Sequence, residues 1–187
     1  RIALVGDIGS GKTFISKLFK FPVFNADKVV YKIYSKNKKV YFDLKRKLPN
    51  FFNNFPVKKK ELINAILTNK TSLKKISTIV HPVVRKELHD FIRRNYKKKA
   101  IILDIPLYFE NKLNKKNDII IFIQPSSREK LKRLKKRKNF NKLVLQKLKK
   151  IQLPLEVKKR KSHYVIKNNF KENIVRKNVE NILSMIL

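Results

Sequence analysis

The residues from 6 to 13, Gly-Asp-Ile-Gly-Ser-Gly-Lys-Thr, match the pattern G-x-x-x-x-G-K-[ST] between an apolar run and a helical pattern. Glycines let backbone N–H groups turn inward onto phosphates, and the N-terminus of the following helix adds partial positive charge. In such a loop, Lys12 reaches the β- and γ-phosphates and the Thr13 hydroxyl ligates Mg²⁺. The three glycines of the chain all lie in this loop: Gly6, Gly9 and Gly11. The segment therefore predicts binding of a nucleoside triphosphate with Mg²⁺.

Two acidic residues that follow apolar runs are candidates for the remaining chemistry. Asp27 comes shortly after the run 22–24, where it would accept a proton from an attacking hydroxyl beside the phosphate loop. It would equally well cap a helix that begins at Lys28. Asp104 ends the run 101–103, a pattern that holds Mg²⁺ directly or through water, with an ordinary strand-end aspartate as the alternative. These residues alone leave the phosphate acceptor open.

The segment from 128 to 150 is strongly basic, with twelve Lys or Arg residues against the single acid Glu129, and its leucines are interleaved. The pattern indicates a basic amphipathic helical segment. Arg133 and Arg137 lie four residues apart, so they share a helix face and would both address a polyphosphate. A solvated basic helix is the alternative, but beside a phosphate loop the arginines favour a lid that closes over the phosphates and excludes water.

The apolar runs predict the scaffold for these residues. Five short runs have the continuous apolar character of strands buried on both faces: 2–5, 22–24, 100–103, 119–123 and, more weakly, 164–166. Helical patterns separate them, and one begins directly at Lys12 and extends to about Phe19. This alternation predicts an α/β fold with a parallel sheet and helices on both of its faces. Between Lys28 and Tyr96 the helical periods predict a helical insertion.

Composition limits the classes of protein and partner. The chain has 187 residues, of which 42% are hydrophobic, enough for a sizeable core and too many for a disordered protein. Its 48 basic and 13 acidic side chains give a net charge of +35, which favours anionic partners, although compositional drift explains most surface lysines. The chain has no cysteine, which excludes disulfides and thiolate zinc sites. No stretch approaches the ~20 apolar residues of a membrane span, so we expect a cytoplasmic protein.

Taken in order, several segments resemble the dephospho-CoA kinase family across nearly the whole chain. They are the loop 6–13, Asn25-Ala26-Asp27, His81-Pro82, the segment 104–110, Lys130-x-x-Arg133-x-x-x-Arg137, Gln152, and Val165-Ile166-x-Asn168. The resemblance implies a P-loop NTPase-type three-layer fold with about five parallel strands. It also implies phosphorylation of the ribose 3′-hydroxyl of dephospho-CoA by ATP and Mg²⁺.

The resemblance also assigns roles to segments and residues. Within a single domain of residues 1–187, it implies a nucleotide-binding core at 1–27, 96–130 and 161–187, a helical CoA-binding part at 28–95 and a lid at 131–160. The implied catalytic residues are Asp27, Lys12 and Arg133. The implied ATP-binding residues are Gly6, Ile8, Gly9, Ser10, Gly11, Lys12, Thr13, Phe14, Arg137 and Asn168, the last in a turn that contacts adenine. The implied acceptor-binding residues are Asp27, His81, Pro106 and Leu107. The implied Mg²⁺ residues are Thr13 and, through water, Asp104.

The chain departs from the family's pattern at several positions. Asn25 replaces the first acid of the usual Asp-Ala-Asp, so this position contributes no negative charge. Asp7 stands where the family usually has Gly, and its carboxylate would repel the triphosphate unless it points outward or pairs with a lid cation. Phe170 replaces a common Gly, and Ser162-His163 replaces the usual Ala-Asp. These changes raise the prospect of a weakened or specialised enzyme.

Two other functions are compatible with parts of the sequence. A related P-loop kinase would phosphorylate a nucleoside monophosphate or another small alcohol. A basic nucleic-acid-binding NTPase would use the +35 charge on phosphate backbones. The basic segment has a single aromatic residue, Phe140, and so lacks a base-stacking surface. We therefore expect a monomer that acts on ATP and dephospho-CoA, without obligatory nucleic acid and without a membrane span.

Overall fold

The computed structural model describes residues 1–135 and 141–187; Arg137 lies outside these ranges. The chain forms two compact units, residues 1–25 with 95–187, and residues 26–94. In chain order the elements are β1 (Ile2–Gly6), α1 (Lys12–Leu18), β2 (Val23–Asn25), α2 (Ala26–Lys36), α3 (Lys38–Lys47), α4 (Lys59–Thr68), α5 (Ser72–Arg94), β3 (Ile102–Asp104), β4 (Ile119–Pro125), α6 (Ser127–Lys135), α7 (Lys142–Lys150), α8 (Leu155–Arg160), β5 (Tyr164–Asn168) and α9 (Glu172–Ile186).

The first unit is built on a five-stranded sheet in the order β2-β3-β1-β4-β5, with every neighbouring pair parallel. All five predicted strands are confirmed. The chain places β2 and β3 on one side of β1 and then crosses to β4 and β5 on the other. A crevice for ligands forms at such a crossing, at the carboxyl ends of the strands. The glycine-rich loop follows β1 at this point.

The strands are apolar throughout because both faces of the sheet are covered. Ile2 and Leu4 lie in a buried cluster with residues of α1 and α9, including Ile15 and Val179. The alternate residues of β1 point to the opposite face and are equally buried. Burial of both faces explains why a continuous apolar run, rather than alternation, marks these strands.

The second unit is helical, as the periods between Lys28 and Tyr96 predict. Helices α2 to α5 enclose their own apolar cluster, in which Leu44, Phe52 and Ala65 are fully buried. The basic segment from 128 to 150 belongs to the first unit, and its described parts are the helices α6 and α7. Within the described ranges, no helix has the length and apolar character needed to cross a bilayer.

Candidate active site

The glycine-rich loop turns from β1 into α1, and its shape requires glycine at two positions. Gly11 has φ +91°, and a Cβ there would lie 2.3 Å from Nδ2 of Asn168. Gly6 has φ +145°, and a Cβ there would lie 2.7 Å from the backbone oxygen of Ile123 on β4. Both distances are shorter than van der Waals contact, and both φ values disfavour a side chain. The sequence pattern therefore encodes a real constraint on the backbone.

Lys12 begins α1 and folds its side chain back over the loop. Its ammonium group donates hydrogen bonds to the backbone oxygens of Gly6, at 3.1 Å, and Asp7, at 2.8 Å. It also lies 3.4 Å from the hydroxyl of Ser10. The side chain is thus buried against the loop, and its charge lies where a phosphate chain would be cradled.

Three polar side chains converge where β2 and β3 end. The strands are in register, with Asn25 opposite Asp104. The Thr13 hydroxyl donates to Asp104 Oδ2 at 2.6 Å, and the Asn25 amide donates to the same oxygen at 2.5 Å. A hydroxyl and a carboxylate oxygen are the hard ligands that Mg²⁺ prefers. The predicted pair of Thr13 and Asp104 is therefore brought together in a form that fits this cation.

The Asp7 carboxylate is paired rather than pointing outward. Its Oδ1 accepts a hydrogen bond from the N–H of Ile8 at 2.7 Å, and its Oδ2 lies 2.7 Å from the ammonium of Lys130 on α6. The two side chains are 7% and 18% exposed. Of the two arrangements expected for an acid in this loop, the structure has the pairing with a cation.

The turn after β5 packs against the other side of the loop. The Asn168 side chain is buried, donates to the Ser10 backbone oxygen at 2.8 Å and accepts from the N–H of Phe170 at 2.9 Å. Phe170 has φ +63°. The guanidinium of Arg133 lies 4.3 Å from the centre of the Phe170 ring, a cation–π contact. Asn168 and Arg133 are both predicted to act on ATP. Asn168 thus contacts the loop itself, and Arg133 contacts the turn that packs against it.

Asp27 lies in the first turn of α2, which begins at Ala26, directly after β2. The interpretation that it caps a helix starting at Lys28 is wrong, because Asp27 is already inside the helix. A carboxylate in the first turn still stabilises a helix through the partial positive charge of its N-terminus. The Asp27 side chain is exposed. Its predicted role toward the acceptor stays a prediction.

The other predicted acceptor residues lie on separate elements. His81 is half-buried in α5, which continues through Pro82. Burial, with a smaller contribution from Arg85, lowers the pKa of His81, which favours the neutral imidazole. Pro106 and Leu107 follow β3 and are half-buried. Their predicted contact with the acceptor stays a prediction.

Sequence reasoning missed the buried pair of Lys158 and Glu110. Lys158 on α8 is 1% exposed, and its ammonium lies 2.7 Å from Oε1 of Glu110, off the hydrogen-bonding direction. The same oxygen accepts from the N–H of Leu153 at 2.9 Å. The pair joins α8 to the turn after β3. Among 48 cations, nothing in the sequence singles out Lys158.

A model of the dephospho-CoA kinase family matches residues 1–173. The chain belongs to the dephospho-CoA kinase family. The dephospho-CoA kinase of the Wolbachia of Brugia malayi is 31% identical over 190 residues, which cover 99% of this chain and 97% of that protein. The enzyme of Zymomonas mobilis is 29% identical over 89% of this chain and 86% of its own length.

The solved structure of the dephospho-CoA kinase from Campylobacter jejuni is similar with a TM-score of 0.65 and 22% identity, over 99% of this chain and 96% of that one. Shikimate kinase from Acinetobacter baumannii has a TM-score of 0.54 at 18% identity, over 99% and 91% of the two chains. These likenesses show the P-loop kinase fold. The expected family and fold are therefore both confirmed.

Proposed function

We propose that this protein transfers the γ-phosphoryl group of ATP to the ribose 3′-hydroxyl of dephospho-CoA, giving CoA and ADP. Membership of the family carries the reaction and its substrates. The observation that supports the nucleotide half is the hydrogen bond of 2.6 Å between Thr13 and Asp104, next to the buried Lys12. This arrangement provides a cation for the phosphates and oxygen ligands for a metal at one end of the sheet.

The loop would hold the triphosphate through its backbone N–H groups, with Lys12 moving from the loop oxygens to the β- and γ-phosphates. An exchange of partners of this kind costs little, because the ammonium already lies over the loop. Arg133 and Arg137 would neutralise charge that spreads over the transferred group. We assign the remaining contacts with ATP to Ile8, Phe14 and the turn at Asn168, as the family resemblance implies.

Thr13 and Asp104 are the residues that would hold Mg²⁺, which when bound neutralises charge on the β- and γ-phosphates. Asp104 is 3% exposed and receives hydrogen bonds from both Thr13 and Asn25. These bonds fix the carboxylate's orientation toward the loop. Asn25 supplies no charge of its own, so Asp104 provides the negative charge of this cluster.

On the acceptor side, we assign Asp27 as the base that orients the 3′-hydroxyl and accepts its proton. The residue lies two positions after Asn25, at the start of α2. His81, Pro106 and Leu107 would bind the rest of the acceptor. Proton acceptance by a carboxylate lets the oxygen attack phosphorus in line with the leaving ADP.

The test is a reaction of purified protein with ATP, Mg²⁺ and dephospho-CoA, with CoA measured by mass spectrometry. We expect D27N to lower kcat by about 100-fold or more while ATP binding is retained. D43N is the matched control, because Asp43 is a partly exposed acid of α3 whose partner is Arg46, three residues along the helix. D43N should react as wild type does.

A panel of nucleoside monophosphates and other small alcohols, assayed by ADP release, tests the choice of acceptor. Faster turnover of one of these than of dephospho-CoA would overturn the assignment. Monomeric state, independence from nucleic acid and cytoplasmic location remain predictions from the sequence. Light scattering on the purified protein tests the monomeric state.

A further inference from the structure

Helix α6 makes two contacts with the nucleotide loop and its neighbouring turn, through side chains that the family resemblance does not lead us to expect. The Lys130 ammonium lies 2.7 Å from the Asp7 carboxylate, and the Arg133 guanidinium lies 4.3 Å from the Phe170 ring centre. Lys130 and Arg133 are three residues apart and therefore share a face of α6. Glycine at positions 7 and 170, where the family resemblance leads us to expect it, could make neither contact.

We propose that Asp7 and Phe170 are positioning residues, which dock α6 on the phosphate-binding loop and so hold Lys130 and Arg133 beside it before ATP binds. The proposal rests on the proposed function, because it concerns the ATP site of that reaction. It adds a second role for Lys130, which is to neutralise the single carboxylate of the loop. Neither Asp7 nor Phe170 is assigned to contact the reacting atoms.

The burial of the ion pair decides its strength. Side chains that are 7% and 18% exposed are largely removed from water, so their attraction is screened less than that of a surface pair. Removing only Lys130 would leave a buried anion close to the bound phosphates. Removing both charges would relieve that repulsion, because nothing buried is then left unpaired.

The second contact fixes Arg133 at the turn after β5. The Phe170 ring would lie 3.2 Å from a Cβ at Gly11, so it packs directly on the loop. The backbone of Phe170 is held at φ +63° by the hydrogen bond from its N–H to Asn168. A phenylalanine rarely adopts this conformation, which glycine tolerates freely. The ring is therefore kept in place by its surroundings rather than by local preference.

The charge part of the proposal is tested by ATP affinity, measured by calorimetry without any acceptor. We expect K130M to weaken ATP binding about tenfold, and D7N in the same protein to restore it to within about threefold of wild type. K132M is the matched control, because Lys132 lies on the same helix and is exposed; its affinity should change by less than about twofold. If K130M and K132M lose the same amount of ATP affinity, or if D7N does not restore the affinity of K130M, Lys130 does not act by neutralising the Asp7 carboxylate.

The docking part is tested by hydrogen exchange of the amides of residues 127–135 in nucleotide-free protein. We expect exchange about tenfold faster in the D7N/F170L double variant than in wild type, because leucine keeps the apolar bulk but not the ring. Unchanged exchange would overturn docking. Neither measurement uses dephospho-CoA, so a failure of the assigned acceptor chemistry would show in the kinase assay and leave these outcomes distinct.

The effect of F170L on kcat, measured with and without Arg133, separates positioning of Arg133 by the Phe170 ring from a general loss of stability. F170L should lower kcat at saturating ATP by about threefold, and the same change should have no further effect when Arg133 is replaced by Met. An equal effect of F170L in both backgrounds would mean that the ring acts independently of Arg133. That result would overturn the role assigned to Phe170.

Discussion

At the scale of single residues, the most informative departure is Asn25. Its amide donates to Asp104 at 2.5 Å, and the Thr13 hydroxyl donates to the same oxygen. An aspartate at this position would place a second carboxylate against Asp104. Two carboxylates in contact repel each other until a cation neutralises them. Asn25 thus stabilises the cluster without metal, and it gives up the negatively charged Mg²⁺ ligand that an aspartate would supply.

We therefore predict that N25D lowers stability without Mg²⁺ by about 1–2 kcal/mol and that Mg²⁺ restores it. Thermal unfolding with and without millimolar MgCl₂ measures both effects, and the shift in Tm on adding Mg²⁺ should be larger in N25D than in wild type. N25A is the control, since it removes the amide without adding charge. Equal Mg²⁺ shifts in N25D and N25A would contradict the prediction.

The residues that sequence reasoning identified are those with local signals. Lys12 and Thr13 belong to one contiguous loop, and Asp104 follows an apolar run, so each could be assigned from its immediate neighbours. The partner of Asp7 lies 123 residues away in a segment crowded with cations. Charge alone does not distinguish these cations from one another. The pairing could therefore be stated only as one of two alternatives.

At the scale of elements, the strands were predictable and their order was not. Five apolar runs are recognisable because each strand is buried on both faces, but the runs are alike, and none specifies its neighbour. The order arises from packing across the whole sheet. The segment from 128 to 150 illustrates the same limit, since its composition predicts helix without indicating that α7 begins at Lys142, with Asn141 as its N-cap.

The start of β4 is fastened by a buried network around Asp118. Its carboxylate accepts hydrogen bonds from Arg1 and Tyr108 and from the backbone N–H of Lys115. Burial opposes ionisation of Asp118, but these bonds, Arg1's first among them, outweigh it and hold the pKa below its ordinary value. A carboxylate of this kind stabilises the fold above its unfolded pKa, and that contribution is lost as pH falls through the folded pKa.

We predict that D118N lowers the free energy of unfolding at pH 7 by about 2–3 kcal/mol, because the Arg1 guanidinium loses its charged partner. Its stability should also fall less steeply than that of wild type below about pH 4, the unfolded pKa of aspartate. Denaturation by urea across this pH range measures both. D43N, which removes a more exposed carboxylate, should cost less than about 0.5 kcal/mol; a comparable loss in the two variants would contradict the special role of Asp118.

At the scale of the whole molecule, the dominant feature is the net charge of +35, which acidic side chains do not balance. Few acids are available to pair with the cations, so most of the charge remains at the surface and repels itself. Such repulsion destabilises the compact state and is screened by salt. The charge thus predicts a stability that depends on ionic strength, whether the lysines serve anionic partners or arose by compositional drift.

We expect Tm to rise by about 5 °C between about 0.02 M and 0.3 M NaCl, as the screening length shortens from about 20 Å to about 6 Å.

Replacing Lys70, Lys98 and Lys116 by glutamate lowers the net charge by six, since each exchange removes a positive charge and adds a negative one. These lysines are exposed and lie outside helices and strands. The triple variant should therefore have a higher Tm in low salt and a weaker salt dependence. The same three changes to arginine keep the charge and should leave both quantities unchanged; if the arginine and glutamate variants respond alike to salt, the repulsion is not what limits stability.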